Sequence, residues 1–162
     1  MSDRFAGLTG TERISADAAA RGLEVRVVAR PEAGSLAEAA AVLGIAPEVI
    51  VKTLVVKRHD GSFLFALVPG GRKISWPKLR ALVGVNKLQL PDAALALAAT
   101  GYERGTITPL GSAQDWPVYA DATITGHEVA MGAGAHGHSA FIDGDALIAS
   151  FGAVVGDITD PE

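Results

Sequence analysis

From Val49 to Val68 the chain reads Val-Ile-Val-Lys-Thr-Leu-Val-Val-Lys-Arg-His-Asp-Gly-Ser-Phe-Leu-Phe-Ala-Leu-Val. Two β-branched or aromatic runs flank Asp60-Gly61. That pair supplies the positive φ angles of a tight turn, so the stretch predicts a β-hairpin. Strand alternation puts Lys52 on the same face as Leu54 and Val56. A lysine on an apolar face must snorkel, pair, or sit in a functional cavity. The plainer alternative is a strand-end lysine with its ammonium in water, since structural charges outnumber catalytic ones.

The same patterning sets out the other elements. Thr11 to Gly22 is Ala-rich and reads as a helix that Gly22 stops. Leu23 to Ala29 predicts a strand, and Pro31 to Gly34 a turn. Ser35 with Glu38 three residues on is a capping box, opening a helix to about Leu43. After the hairpin, Pro69 to Lys73 reads as a loop. Ser75-Trp76-Pro77 opens a second capped helix, with Pro77 in the first turn. Lys87 to Leu90 predicts a short strand, and Asp92 to Ala99 a helix ended by Gly101. Tyr102 to Ser112 is a Gly/Pro-punctuated loop. Strands follow at Val118–Ala120, Glu128–Met131 and Ser139–Ile142, with a glycine-rich turn over Gly132–Gly137. Asp143 caps a last helix, and Ala153 to Val155 predicts a final strand. No linker, repeat or low-complexity segment interrupts this order. The expectation is one mixed α/β domain over residues 1–162.

Composition narrows the function classes. The 162 residues are 49% apolar and 20% charged, which fits a globular chain with a sizeable core. No apolar run approaches the ~20 residues of a membrane span, and no signal peptide is visible. The default location is the cytoplasm. With no cysteine, disulfides, thiolate metal sites and cysteine nucleophiles are excluded. No serine–histidine–acid order or nucleophile elbow stands out, so an enzyme of this sequence works without a protein nucleophile.

Net charge is −4, unevenly spread. Lys52 to Lys87 holds eight basic residues against Asp60 alone, whereas Leu88 to Glu162 holds Arg104 against ten acids. That asymmetry allows a local polyanion site on an acidic protein, although the charges can also cancel across a solvated surface.

Three further features bear on chemistry. The loop Gly101-Tyr102-Glu103-Arg104-Gly105-Thr106-Ile107-Thr108-Pro109-Leu110-Gly111 is long for a mere link, and its glycines let backbone approach a ligand. Gly132-Ala133-Gly134-Ala135-His136-Gly137 matches G-x-G-x-x-G literally. A dinucleotide fold is nevertheless rejected, because strand-like residues follow where a helix should open. Backbone N–H groups presented there to an anion or hydroxyl remain credible. His136 and His138 alternate on one strand but have no third ligand at local spacing, so no metal is expected. Asp121 ends an apolar strand run, where it either orients Lys52 or caps a turn.

In this order, Ile50-Val51-Lys52-Thr53-Leu54, Leu67-Val68-Pro69-Gly70, Gly101-Tyr102 with Gly105 and Pro109, Asp121, and Gly132-Ala133-Gly134 resemble the YbaK family. That family comprises free-standing aminoacyl-tRNA deacylases and the editing domain of bacterial prolyl-tRNA synthetases. The ordered match covers about residues 35–158. The resemblance implies a compact α/β fold with a mixed, curved β-sheet and surrounding helices. It implies trans-editing hydrolysis of mischarged aminoacyl-tRNA, typically tRNA for proline carrying a small wrong amino acid, without cofactor.

By the same resemblance Lys52 matches the essential lysine, with Asp121 among the matched catalytic positions. Gly132 and Gly134 match the turn near the scissile ester. Gly101, Tyr102, Gly105 and Pro109 match the substrate-pocket loop, and His136 lies near a histidine that some members use. Arg72, Lys73, Lys78 and Arg80 would receive acceptor-stem phosphates. The implied partners are the acceptor end of aminoacyl-tRNA and prolyl-tRNA synthetase. The alternative is a non-catalytic tRNA-binding or synthetase-partner module on the same fold.

Overall fold

Helices begin where a short polar side chain can take an orphan N–H of the first turn. A computed structural model describes residues 2–162. It begins with α1 (Thr11–Arg21), β1 (Arg26–Ala29) and α2 (Leu36–Leu43), followed by the hairpin strands β2 (Val51–Arg58) and β3 (Phe63–Pro69). Next come β4 (Arg72–Ile74), α3 (Trp76–Val83), β5 (Leu88–Gln89) and α4 (Ala93–Thr100). The remainder is β6 (Val118–Asp121), β7 (Glu128–Gly132), β8 (His138–Asp143), α5 (Gly144–Phe151), β9 (Val154–Gly156) and β10 (Thr159–Pro161). Ser35, Ser75, Asp92 and Asp143 cap α2, α3, α4 and α5 through their side chains. Glu38 closes the start of α2 by accepting from the Gly34 N–H at 2.8 Å.

The hairpin differs in detail from a tight two-residue turn. The Gly61 N–H donates to the Arg58 carbonyl, the Arg58 N–H donates to the Ser62 carbonyl, and only Gly61 has positive φ, at 86°. This is the three-residue loop in which a turn is followed by one left-handed residue. Asp60 contributes otherwise, accepting from the Ser62 N–H and hydroxyl.

β3 is the middle of the fold and is buried along its whole length. Phe63, Phe65 and Leu67 point into one apolar cluster with Ile14, Val118, Met131 and Leu147. Leu64 and Ala66 point into another, with Val56, Leu79 and Ile158. Each large side chain so buried contributes roughly 1.5–3 kcal/mol. A strand covered on both faces reads as a continuous apolar run, as this one does.

The expected mixed sheet is five-stranded, in the order β5-β2-β3-β6-β9. β5, β2 and β3 are antiparallel, and β3, β6 and β9 are parallel. Two smaller sheets accompany it. β1-β8-β7 packs with β7 beside β2, and a bridge from Ile50, just before β2, to Ala130 joins the two. β4 pairs with β10. β4 begins inside the Pro69–Lys73 segment that sequence reads as loop, and β10 was not expected. Both are three residues long and their pairing spans most of the chain, so neither carries a local pattern. β1 also starts three residues later than expected.

Candidate functional site

The edge of β2 that faces the small sheet borders a cleft of about 510 Å³. Its lining includes the start of α2, residues Ile50–Val55, Leu90 and Pro91 after β5, the Arg104–Gly105 part of the long loop, and the facing ends of β7 and β8. Lys52, Gly105 and Gly132 are therefore brought together from three distant parts of the chain. Lys52 shares its face with Leu54 and Val56 as alternation predicts, but its side chain is exposed. Of the alternatives read from sequence, this is the strand-end lysine with its ammonium in water, placed at the mouth of the cleft. Arg30 and Arg104 also line the cleft, with His138, and no aspartate or glutamate among the described residues does. The Arg30 Nε donates to the Ser139 hydroxyl at 2.9 Å, which anchors the guanidinium.

Gly132 is required by close approach. A Cβ there would lie 2.5 Å from the Ile107 carbonyl oxygen. The turn and the long loop are therefore in backbone contact. The Gly134 N–H donates to the Thr106 carbonyl at 3.0 Å. That one amide is therefore already paired and is not among those the turn could present to a ligand. The turn joins two antiparallel strands, as rejection of the dinucleotide reading requires.

Asp121 does not pair with Lys52. Its carboxylate accepts from the Thr123 hydroxyl and N–H, from the Ile158 N–H at 3.2 Å and from the Thr159 hydroxyl at 2.9 Å. Burial alone would raise its pKa; these hydrogen bonds outweigh it and hold the carboxyl below the usual range. Asp121 thus caps the turn after β6 and fastens the C-terminal strand.

The long loop has a wet side and a dry side. Glu103, Arg104 and Gly105 are exposed, whereas Tyr102 and Thr108 to Ser112 are buried. The Tyr102 hydroxyl donates to the Leu110 carbonyl at 2.5 Å, and burial pushes the phenol's pKa upward. Tyr102 and Pro109 therefore shape the loop from beneath, and Gly101 packs against the Arg13 guanidinium. His136 is exposed, 3.4 Å from Glu103. The cleft side is taken by His138, two residues on.

Sequence reading missed the anchor of this loop. Arg13 and Asp17 on α1 are 4% and 3% exposed. The Arg13 Nε donates to the Gly111 carbonyl at 2.9 Å, and Asp17 accepts from the Gly111 N–H at 2.8 Å. Asp3 completes the anchor by accepting from both terminal nitrogens of Arg13, at 2.9 and 2.7 Å. The available signal was two opposite charges four residues apart on an otherwise Ala-rich helix, which reads equally well as a surface pair. Arg30 gave no signal, and Arg104 was visible only as part of the loop.

Of the four residues expected to receive phosphates, Lys78 is already paired, 3.0 Å from Asp157 and 2.9 Å from Asp160. These partners, Asp160 first, hold its ammonium above the ordinary lysine range. The Arg72 Nε donates to the Thr159 hydroxyl at 2.6 Å. Lys73 and Arg80 have no acidic partner among the described residues. No helix among the described residues is long and apolar enough to cross a membrane.

This fold is that of an aminoacyl-tRNA editing domain. The model of that family matches residues 30–149, and the chain belongs to it. A proline–tRNA ligase of Desulfovibrio desulfuricans is 39% identical over 99 residues, which are 61% of this chain and 17% of the ligase. A proline–tRNA ligase of Pelobacter propionicus is 32% identical over 104 residues, 64% of this chain and 18% of the ligase. The chain thus spans under a fifth of the length of these relatives. The crystal structure of a candidate trans-editing enzyme for prolyl-tRNA synthetase superposes with TM-score 0.86 at 27% identity, covering 93% of this chain and 96% of that one. The resemblance to the YbaK family read from Lys52, the long loop and the Gly132 turn agrees with all three.

Proposed function

We propose that the chain is a single-domain aminoacyl-tRNA deacylase, hydrolysing the ester between a small wrong amino acid and the terminal ribose of tRNA for proline. The observation that carries this reading is the cleft itself. Lys52, Arg30 and Arg104 line it with no carboxylate among them, and its far wall is the close-packed Gly132 turn. A polyanion's reactive end suits such a site.

An aminoacyl ester is already activated, so positioning and oxyanion stabilisation suffice. Water attacks the carbonyl carbon, forming a C–O bond. The carbonyl oxygen then takes negative charge, which the Lys52 ammonium stabilises. Collapse breaks the ester bond, and the proton from water ends on the ribose oxygen. The arriving substrate removes water from around Lys52, which strengthens this interaction at the moment it is used.

Arg72, Lys73 and Arg80 would meet acceptor-stem phosphates, with Lys78 contributing least because two aspartates hold it. Arg30 and Arg104 would meet phosphates of the single-stranded terminus. Gly105 would border the amino acid, and His138 takes the place expected of His136. Editing of this kind supplies a second sieve where a synthetase cannot exclude smaller amino acids by binding alone. It puts the work beside prolyl-tRNA synthetase, in the cytoplasm.

The test is a deacylation screen over alanyl-, cysteinyl-, seryl- and prolyl-tRNA, with Lys52→Ala as control. Hydrolysis of one or more mischarged species, lost in Lys52→Ala with an unchanged melting temperature, is expected. Tight tRNA binding with no hydrolysis of any species would identify a binding module instead.

A further inference from the structure

The cleft offers no counter-charge to an ammonium. Lys52 lines it from β2, Arg30 from just after β1 and Arg104 from the long loop, and no aspartate or glutamate among the described residues does. The neighbouring acids have other partners. Glu38 accepts from the Gly34 N–H at 2.8 Å, and Glu103 lies 3.4 Å from His136. The hydroxyls of the lining offer little in exchange. Ser35 already accepts from the Glu38 N–H and Ser139 from the Arg30 Nε, and the Thr53 hydroxyl is buried. His138 donates from Nδ1 to the His136 carbonyl at 3.0 Å, so its other nitrogen is an acceptor only while the ring is neutral.

A free aminoacyl ester carries an α-amino group two bonds from its carbonyl carbon. Below the ordinary α-amino pKa of about 7.7–8.0 that group is an ammonium. A lysine placed on the carbonyl oxygen then lies within roughly 3–6 Å of it. Two positive charges so close repel, the more so once the arriving substrate has removed water. Phosphates of the tRNA terminus can neutralise Arg30 and Arg104, but they leave Lys52 facing the ammonium. An N-acylated ester has no such charge. Its amide N–H can still donate to a main-chain carbonyl, as an ammonium would. Its acyl group can lie along the apolar part of the lining, at Leu36, Leu90 and Ile107.

We infer that the cleft also hydrolyses N-acylaminoacyl esters of tRNA, the chemical class that includes peptidyl esters. Relative to uncatalysed hydrolysis, it favours them over esters with a free ammonium. The inference rests on the deacylase reading and extends its substrate class. The bonds exchanged are the same. The oxygen of water bonds to the ester carbonyl carbon, and the bond from that carbon to the ribose oxygen breaks. The proton from water ends on the ribose oxygen, and an N-acylamino acid is released.

The experiment compares alanyl-tRNA with N-acetylalanyl-tRNA on the full chain at pH ~6.5, where the free amine is mostly protonated. Each kcat/KM is divided by that substrate's own rate of hydrolysis without protein, which removes the activation an ammonium lends to its own ester. The acetylated substrate should be favoured at least about fivefold, the repulsion of two unit charges ~4 Å apart in bulk water. Arg30→Glu and the exposed Arg104→Glu each put a carboxylate into the cleft and should lower that ratio. A wild-type ratio near or below one, or a ratio that neither reversal lowers, would overturn the proposal. Hydrolysis of alanyl-tRNA but not of the acetylated species would sink this inference and leave the deacylase reading. Hydrolysis of the acetylated species alone would leave the inference and sink the editing of free aminoacyl esters. Hydrolysis of neither would sink both.

Discussion

Lys52 and Thr53 are neighbours with opposite costs. Lys52 is exposed, so its replacement removes chemistry without removing packing. The Thr53 hydroxyl is buried with nothing to bond, which the free protein tolerates at a cost of about 1–3 kcal/mol. Thr53→Val keeps the shape and removes the orphan oxygen. The variant should melt higher than wild type, because the buried hydroxyl no longer goes unpaired. A lower melting temperature would mean that the hydroxyl is satisfied in solution. Asp121 shows the reverse case. Its folded pKa is depressed, so its contribution to stability is complete above the unfolded carboxylate value of about 4 and is lost as pH falls through the folded value. Asp121→Asn should therefore be less stable than wild type at neutral pH, by about 1–3 kcal/mol, with the gap closing below pH ~4. Melting temperatures of both proteins across that range decide it, and a gap independent of pH would refute the assignment.

At the scale of elements, local chemistry explains what sequence could reveal. Four caps, the hairpin and the helix stops depend on residues within a turn of one another, and each appears where the pattern puts it. The division into three sheets depends on pairings such as Arg72 with Pro161, for which no short-range signal exists. The cleft was half legible for the same reason. Lys52 and Gly132 stand out as a misplaced charge and a glycine cluster, whereas the choice of His138 over His136 turns on strand phase beyond a glycine-rich turn. α1 was legible as a helix but its part in holding the loop was not, and it lies outside the stretch matched by the family model. Yet it holds Gly111 from both sides, through Arg13 and Asp17. Arg13→Ala breaks a pair whose arginine is 4% exposed and whose aspartate is 31% exposed. The loss should fall near or below the low end of the roughly 3–5 kcal/mol typical of broken buried pairs. Loosening the loop should also raise KM or lower kcat for deacylation in protein that remains folded. Unchanged kinetics at a temperature where the variant is fully folded would show that α1 stabilises the fold without positioning the loop.

The whole molecule carries net charge −4 and is assigned a polyanionic substrate, so binding must depend on where the cations lie. Two groups are candidates. One is the cleft pair Arg30 and Arg104, anchored by Ser139 and exposed on the long loop respectively. The other is the Arg72–Arg80 segment, in which Asp157 and Asp160 already neutralise Lys78. Each phosphate contact releases counterions, which contributes about 0.7 to the salt slope of log affinity for a single strand and about 0.9 for a duplex. Removing Arg30 and Arg104 together should flatten the slope by roughly 1.4 if both meet the single-stranded terminus. Removing Arg72 and Lys73 should flatten it by up to about 1.8 if both meet the acceptor duplex. Lys78→Ala should change it least. Phosphates carry no amino-acid identity, so the Arg72/Lys73 variant should keep the wild-type ranking of aminoacyl substrates. The measurement is kcat/KM for two aminoacyl-tRNAs at several salt concentrations in each variant. An unchanged slope in the Arg72/Lys73 variant would mean that this segment faces away from the tRNA and that the cleft cations alone steer it. A changed ranking would mean that the segment reaches the amino acid.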